Sequence, residues 1–338
     1  MQSLCKNSPS PLFLNVLEKN TQVVHPSVID FKSEYQMESW GQFRYWMALT
    51  PYPYGKSGEE NPCICVSNDG VVWAVPNDFS NPLDVAEGGW KLGFHSDTDM
   101  IYNPDRNELW IYYRFLTYDI WSVKLVKISE SHQVSAPETI MQLPYDAETE
   151  LKSMAVWRES SDKWHMWCGK GRRYTLSSIP CETVYLSSSD GINWSKPLTC
   201  LNAEGQDPFV SVGYSHWHIS AKPNHEKEIV EFVCFCDSLN AESSALVYAY
   251  CPMDLPTMIS CPENPIILLQ SGNGWDNGSL YRCSFVREDD ILRIWYSATK
   301  KRTWWQRLFR PFFLLNKYLP FVWKLHPKWY IGYTEGKL

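Results

Sequence analysis

No run of about 18 uncharged apolar residues occurs in this 338-residue chain, so the sequence offers no helix able to cross a bilayer. Residues 1–20, MQSLCKNSPSPLFLNVLEKN, lack the apolar region of a secretory signal. No Cys-x-x-Cys pair and no Cys/His ligand spacing appears, so neither a metal nor any other cofactor is expected. The 11 cysteines are odd in number. Cys63/Cys65 and Cys234/Cys236 alternate by two, which places each pair on one strand face and not in disulfide geometry. Such usage points to a reducing compartment, and a cytoplasmic location is expected. Amphipathic helical period is missing outside 300–325, which argues against a βαβ architecture. GKGRR at 169–173 lacks the leading glycine of a phosphate loop and its strand-to-helix setting, which excludes nucleotide hydrolysis of that kind.

What remains is short, aromatic and strand-like. The chain holds 17 Trp and 19 Tyr. RYWMALT (44–50), ELWIYYRF (108–115), KWHMWC (163–168), IVEFVCFC (229–236) and ILRIWYSA (291–298) have the length and the β-branched and aromatic content of strands. Aligning them exposes a repeat. Each unit opens on a polar segment: HPSVIDF (25–31), HSDTDMIY (95–102), ELKSMAVW (150–157), HWHISAK (216–222) and WDNGSLYRCSF (275–285). Two units end in nearly the same words, SNDGVVW (67–73) and SSDGINW (188–194). There Asp-Gly signals a turn and Trp packs back over it. Five units predict an all-β five-bladed β-propeller over 25–338, preceded by an extension, 1–24; a two-sheet sandwich is the alternative.

One segment departs from the rest. Residues 300–328 carry eight Lys or Arg, no acid and eight aromatic side chains, in a protein of net charge −7. The remainder has 23 basic against 38 acidic residues. Basic charge interleaved with large apolar side chains suits a membrane interface. Two helical turns over TWWQRLFR would pair Trp304 with Leu308 and Trp305 with Phe309, with Pro311 and Pro320 breaking the run; Phe312 and Phe313 extend the apolar contact set. Docking of a partner chain, or a plug packed on the propeller, are the alternatives. The acidic remainder argues against nucleic acid as a partner.

In a propeller the first strand of each blade lines the central channel, and its start lies at the same end as the loop between strands two and three. That rule gathers His25, Asp97, Asp99, Glu150, His216, His218, Asp276 and Arg282 from strand starts. From the loops it gathers Glu60, Arg114, Lys170, Arg172, Arg173 and the 300–328 insert.

With these residues in place the chain resembles the five-bladed propeller glycosidase superfamily of furanosidases, fructan-active enzymes and β-mannoside phosphorylases, including glycosidase-like propellers of envelope-polysaccharide gene clusters. The resemblance covers 25–336 and rests on blade count, the SxDGxxW endings and the acids at blade openings. It implies inner-strand carboxylates serving as nucleophile or base, positioning group and acid. Asp97 or Asp99 matches the second-blade acid and Glu150 the third. The first blade departs, with His25-Pro26-Ser27 where an acid is usual; Asp30 and Glu60 are the nearest acids.

Asp97 and Asp99, two apart on one strand, can both face the channel, and paired carboxylates suit acid–base work. With Glu150 (Glu148 is a rival) they are the expected catalytic groups. Glu60, Arg114, His216, His218, Asp276 and Arg282 are expected to bind substrate, and Lys170, Arg172 and Arg173 a phosphate. The expected activity makes or breaks a glycosidic bond, with glycosyl transfer on a lipid-linked or envelope polysaccharide favoured. Hydrolysis, phosphorolysis and non-catalytic glycan binding are the alternatives. The expected partners are a glycan or sugar phosphate and an anionic membrane surface or lipid-linked acceptor, with the protein held at the inner face of the membrane.

Overall fold

The computed structural model describes residues 3–17, 22–53, 56–86, 92–146, 150–171, 181–240, 243–303 and 328–337. These form five antiparallel sheets, each drawn from consecutive sequence. Blade one holds β1 (Ser27–Asp30), β2 (Tyr45–Leu49) and β3 (Cys63–Ser67). Blade two holds β4 (Phe94–Asn103), β5 (Glu108–Leu116), β6 (Ile120–Ser129) and β7 (Glu138–Pro144). Blade three holds β8 (Leu151–Ser160), β9 (Lys163–Lys170), β10 (Glu182–Ser188) and β11 (Leu198–Thr199). Blade four holds β12 (Tyr214–Asn224), β13 (Ile229–Ser238), β14 (Ser244–Pro252) and β15 (Ile266–Leu269). Blade five holds β16 (Ser279–Glu288), β17 (Ile291–Thr299) and β18 (Trp329–Lys337). A short helix, α1 (Phe31–Tyr35), follows β1, capped by the Asp30 carboxylate.

The ring closes because β1, β4, β8, β12 and β16 pack in succession and β16 returns to β1. At the seam, Ser284 Oγ accepts from Val28 N (2.8 Å) and Ser297 Oγ from His25 N (3.1 Å). Between blades lie apolar layers, such as Ile29, Trp46 and Ile64 against Met100, Ile111 and Tyr113. Burying these faces drives assembly, since a lone blade leaves both faces wet.

The two SxDGxxW segments work as the sequence predicts. Asp69 Oδ1 accepts from Val71 N and Val72 N, both at 2.8 Å, and Trp73 Nε1 donates to Gly70 O (3.0 Å). Asp190, Ile192, Asn193, Trp194 and Gly191 repeat the pattern. Each turn also fastens its blade to the preceding one: Trp295 Nε1 donates to Gly70 O (2.7 Å) and Tyr112 Oη to Gly191 O (3.0 Å). Gly191 sits at φ +73°, and a Cβ there would lie 2.9 Å from both Trp164 and the Tyr112 hydroxyl.

The N-terminal segment runs along blades four, five and one. Cys5 N donates to Ile267 O (2.8 Å) and Leu12 N to Ile331 O (2.8 Å), and Asn81 Nδ2 donates to Val16 O (3.1 Å). No helix among the described residues is long and apolar enough to cross a membrane.

Candidate active site at the channel mouth

One backbone irregularity builds the site. In blades two, three and five, two residues of the inner strand face one on its neighbour. Asp97-Thr98 fall between the pairs Ser96–Arg114 and Asp99–Tyr112, and Ser153-Met154 between Lys152–Gly169 and Ala155–Trp167. Tyr281-Arg282 fall between Leu280–Ala298 and Cys283–Tyr296. In blade four the inserted residue is Trp217, between His216–Cys236 and His218–Phe235. In blade one His25-Pro26 occupy the same place, since Thr50 N bonds Val24 O while Ser27 pairs with Ala48. A bulge bends the strand and re-aims its side chain. His25, Asp97 and Ser153 take left-handed backbone, φ +58°, +56° and +52°, a costly conformation for these residues that concentrates at functional sites.

The bulges bring three ligating groups together. His25 Nε2 lies 3.6 Å from Asp97 Oδ1, and His218 Nδ1 lies 3.8 Å from the same oxygen. The ligand atoms of all three residues fall within 4.8 Å of one another, and all three residues are buried. His25 Nε2 is buried with no hydrogen-bond partner. Two imidazoles and a carboxylate at this spacing suit a divalent first-row metal such as zinc, whose tetrahedral ligands lie about 3.4 Å apart. Burial pushes His25 down to about 3 despite the pull of Asp97, so the ring is neutral, as a ligand must be. Burial alone would raise Asp97; Arg114, His218, His25 and Arg282 outweigh it and hold the carboxyl well below its usual range.

Around this core, Thr50 Oγ1 lies 2.6 Å from His25 Nδ1 and 3.0 Å from Glu60 Oε2. Burial, reinforced by Asp97, pushes the Glu60 carboxyl well above its usual value. Arg114 Nε donates to Ser96 Oγ (3.0 Å) and stands 3.4 Å from Asp97 Oδ2, while its Nη1 donates to Glu150 Oε1. Lys152 Nζ lies 3.4 Å from Glu150 Oε2 and 4.3 Å from the Trp217 ring centre; burial lowers its pKa. Half-buried aromatic rings form the rim: Tyr281 stands edge-on to His218 at 4.3 Å, Trp217 Nε1 donates to Tyr281 Oη (3.3 Å), and Trp329 lies 5.2 Å from Tyr281.

The sequence-derived set divides. His25, Glu60, Asp97, Arg114, Glu150 and His218 meet at one end of the channel. Asp99 lies deeper, where Ser27 Oγ (3.0 Å), Val156 N (2.7 Å) and Arg282 Nη2 (3.3 Å) all donate to it. Arg282, expected at the substrate, is thus paired with Asp99. Asp276 sits under the N-terminal segment, accepting from Asn7 Nδ2 and Tyr296 Oη, both at 2.8 Å. His216 does not face the channel: the bulge at Trp217 turns it toward Phe209 (4.9 Å) and Thr183 Oγ1 (3.4 Å). Lys170 closes β9 at the surface, 3.7 Å from Glu182. Glu148, Arg172, Arg173, Trp304, Trp305, Phe309, Phe312 and Phe313 lie outside the described residues.

The insert's two stems do lie at this end. Lys301 N donates to Asn277 Oδ1 (2.8 Å), Thr299 Oγ1 to Lys328 O (3.0 Å), and Trp329 is the rim residue against Tyr281. Thr50, Lys152, Trp217 and Tyr281 were missed by the sequence analysis. Lys152, Trp217 and Tyr281 had a signal, since all three stand inside the polar blade openings.

No family model matches the chain. Among solved structures, that of an N-acetylgalactosamine deacetylase from F. plautii, in complex with blood group B trisaccharide, superposes with TM-score 0.79 at 19% identity, covering 99% of this chain and 96% of that one. A GH43 β-xylosidase/α-arabinofuranosidase from a compost metagenome, in complex with xylotriose, gives TM-score 0.57 at 12% identity over 98% and 94%. A structure from the GH130 family of mannoside phosphorylases gives 0.55 at 11% over 87% and 91%. The fold is that of the glycosidase-type five-bladed propellers. In sequence the chain is 25% identical over 325 residues to the A type blood N-acetyl-α-D-galactosamine deacetylase of Flavonifractor plautii. The match takes in 83% of this chain but only 40% of that relative's length.

Proposed function

We propose that this glycosidase-type propeller is a metal-dependent hydrolase that removes an N-acetyl group from an amino sugar of a glycan. The observation that carries this is the convergence of His25, Asp97 and His218 beneath an aromatic rim. The similarity to a deacetylase supports it. Cleavage breaks the amide C–N bond and forms a C–O bond to water, giving acetate and the free amine. A divalent metal held by His25, Asp97 and His218 would polarise the acyl oxygen and lower the pKa of water. Trp217, Tyr281 and Trp329 offer faces for the sugar. Arg114 and Lys152, each beside Glu150, are held in place on that wall of the mouth.

Glycosidic-bond cleavage or transfer is the second reading, favoured by the shared fold. It needs two carboxyl groups flanking an anomeric carbon. Asp99 is tied to Arg282 and Glu150 to Arg114 and Lys152, which leaves, among the described acids of the sequence-derived set at the mouth, Glu60 and Asp97, the latter itself 3.4 Å from Arg114 Nε. The test is incubation with oligosaccharides ending in N-acetylgalactosamine or N-acetylglucosamine, reading acetate and reducing sugar separately, with and without a chelator. Chelator-sensitive acetate release is expected. Reducing sugar released regardless of chelator would establish the second reading instead.

The insert fits an anionic membrane surface or a lipid-linked glycan beside the mouth, at the cytoplasmic face, because its stems flank the rim. Its eight basic residues, at about 1 kcal/mol each near an anionic leaflet, suffice for reversible attachment. Replacing Trp304, Trp305 and Phe309 with Ala should abolish flotation with anionic vesicles; unchanged flotation would remove the membrane from the proposal.

A further inference from the structure

His25 is held from three blades at once. Ser297 Oγ of blade five accepts its backbone N–H (3.1 Å), Thr98 Oγ1 of blade two donates to its carbonyl (3.2 Å), and Thr50 Oγ1 of blade one meets Nδ1 (2.6 Å). The first two bonds stabilise a left-handed residue preceding a proline, where extended backbone is the norm. The third concerns chemistry. Thr50 is wholly buried, and its hydroxyl donates onward to Glu60 Oε2 (3.0 Å), leaving its lone pairs to accept Nδ1–H. Glu60 Oε2, 3.3 Å from the same nitrogen, is a second acceptor for that proton. With the proton on Nδ1, the lone pair of His25 lies on Nε2, the atom facing Asp97 and His218.

We infer that Thr50 is a positioning residue: its hydroxyl, backed by Glu60, sets the tautomer and ring orientation in which His25 presents Nε2 to a divalent cation. This rests on the metal-site assignment above. Metal-bound histidines usually donate their second N–H to a carboxylate, carbonyl or water, and losing that partner typically weakens metal affinity about 10- to 100-fold. Here a hydroxyl relays between the imidazole and the Glu60 carboxyl group.

The experiment is calorimetric titration of the chelator-treated 338-residue chain with Zn²⁺ and Mn²⁺, comparing wild type, Thr50→Val and Thr50→Ser. Val keeps the shape and removes the hydroxyl; Ser keeps the hydroxyl. Thr50→Val should bind about 10- to 100-fold more weakly, and Thr50→Ser within a few-fold of wild type. Equal affinity for Thr50→Val and wild type would overturn the role of Thr50 while leaving the metal site standing. Equal weakening in both variants would also overturn it, since shape and not the hydroxyl would then matter. Absence of binding to wild type would overturn the metal site together with this inference. Long-range ¹H–¹⁵N spectra of the zinc-loaded wild type give an answer that needs no variant to fold: Nε2 coordinated and Nδ1 protonated is expected, and coordination through Nδ1 would sink the proposal.

Discussion

Asp97→Asn should abolish acetate release, by a factor of about 10³ or more, while leaving the propeller folded. A bound divalent cation contributes several kcal/mol to a hydrolytic transition state, and about 4 kcal/mol corresponds to that factor. Asp97 is the carboxylate that both imidazoles face: His25 Nε2 and His218 Nδ1 each approach its Oδ1. Asn is the informative substitution. It matches Asp in size and tolerates the left-handed backbone found at this position, φ +56°, so the change removes charge without adding backbone strain. Its neutral amide is a far weaker ligand than a carboxylate. It also leaves Arg114 paired with Glu150, which limits the cost in stability. Acetate release, zinc affinity and the thermal midpoint, measured on one preparation, separate the outcomes. Loss of the first two with a midpoint shifted by only a few degrees is expected. Retention of more than a tenth of wild-type activity would mean that Asp97 is not a ligand and that the converging histidines serve packing.

The features legible in the sequence are those carried by local patterns. Blade count followed from the repeated polar openings and the SxDGxxW turns, because each blade is a local meander whose signals need no distant partner. The position of the insert followed from chain order within a blade, and its stems at Thr299 and Lys328 lie beside the rim. Strand alternation was less reliable, because every inner strand carries an extra residue at the same level. Strict alternation by two puts Asp97 beside Asp99 and His216 beside His218 on a common face. The bulges instead leave Asp97 at the mouth and Asp99 in the shaft, and turn His216 into the contact with blade three while His218 enters the channel. The proposed metal-binding group was hidden for a related reason: its members come from blades one, two and four, separated by 72 and 121 residues, so no ligand spacing exists to be read. His25, which stood out as the residue replacing the usual first-blade acid, was the available clue. Arg282, expected to bind substrate, is instead taken up by Asp99, a partner 183 residues away across the channel that no local pattern reveals.

Asp99→Ala should be the most destabilising of the channel substitutions, costing about 3–5 kcal/mol, and Arg282→Met introduced with it should restore part of that loss. Arg282 is 1% exposed, and its Nε and Nη1 have no hydrogen-bond partner. Its charge is met by one carboxylate oxygen at 3.3 Å and by Met154 O at 3.0 Å. Removing Asp99 strands a buried guanidinium that cannot shed its proton. It also frees Ser27 Oγ and Val156 N, which join blades one and three to blade two through this carboxylate. Arg282→Met alone should cost less, because the carboxyl keeps those two donors and can take up a proton. The double variant exchanges an incompletely bonded ion pair for apolar packing, an exchange that is often neutral or favourable elsewhere. Denaturant midpoints of wild type, the two single variants and the double variant close the cycle. A double variant as unstable as the sum of its singles would mean that the pair contributes nothing as a pair. An Asp99→Ala protein of undiminished stability that had lost all turnover would return Asp99 to the catalytic role assigned from sequence, since a carboxylate that does not hold the shaft together has no other reason to be buried there.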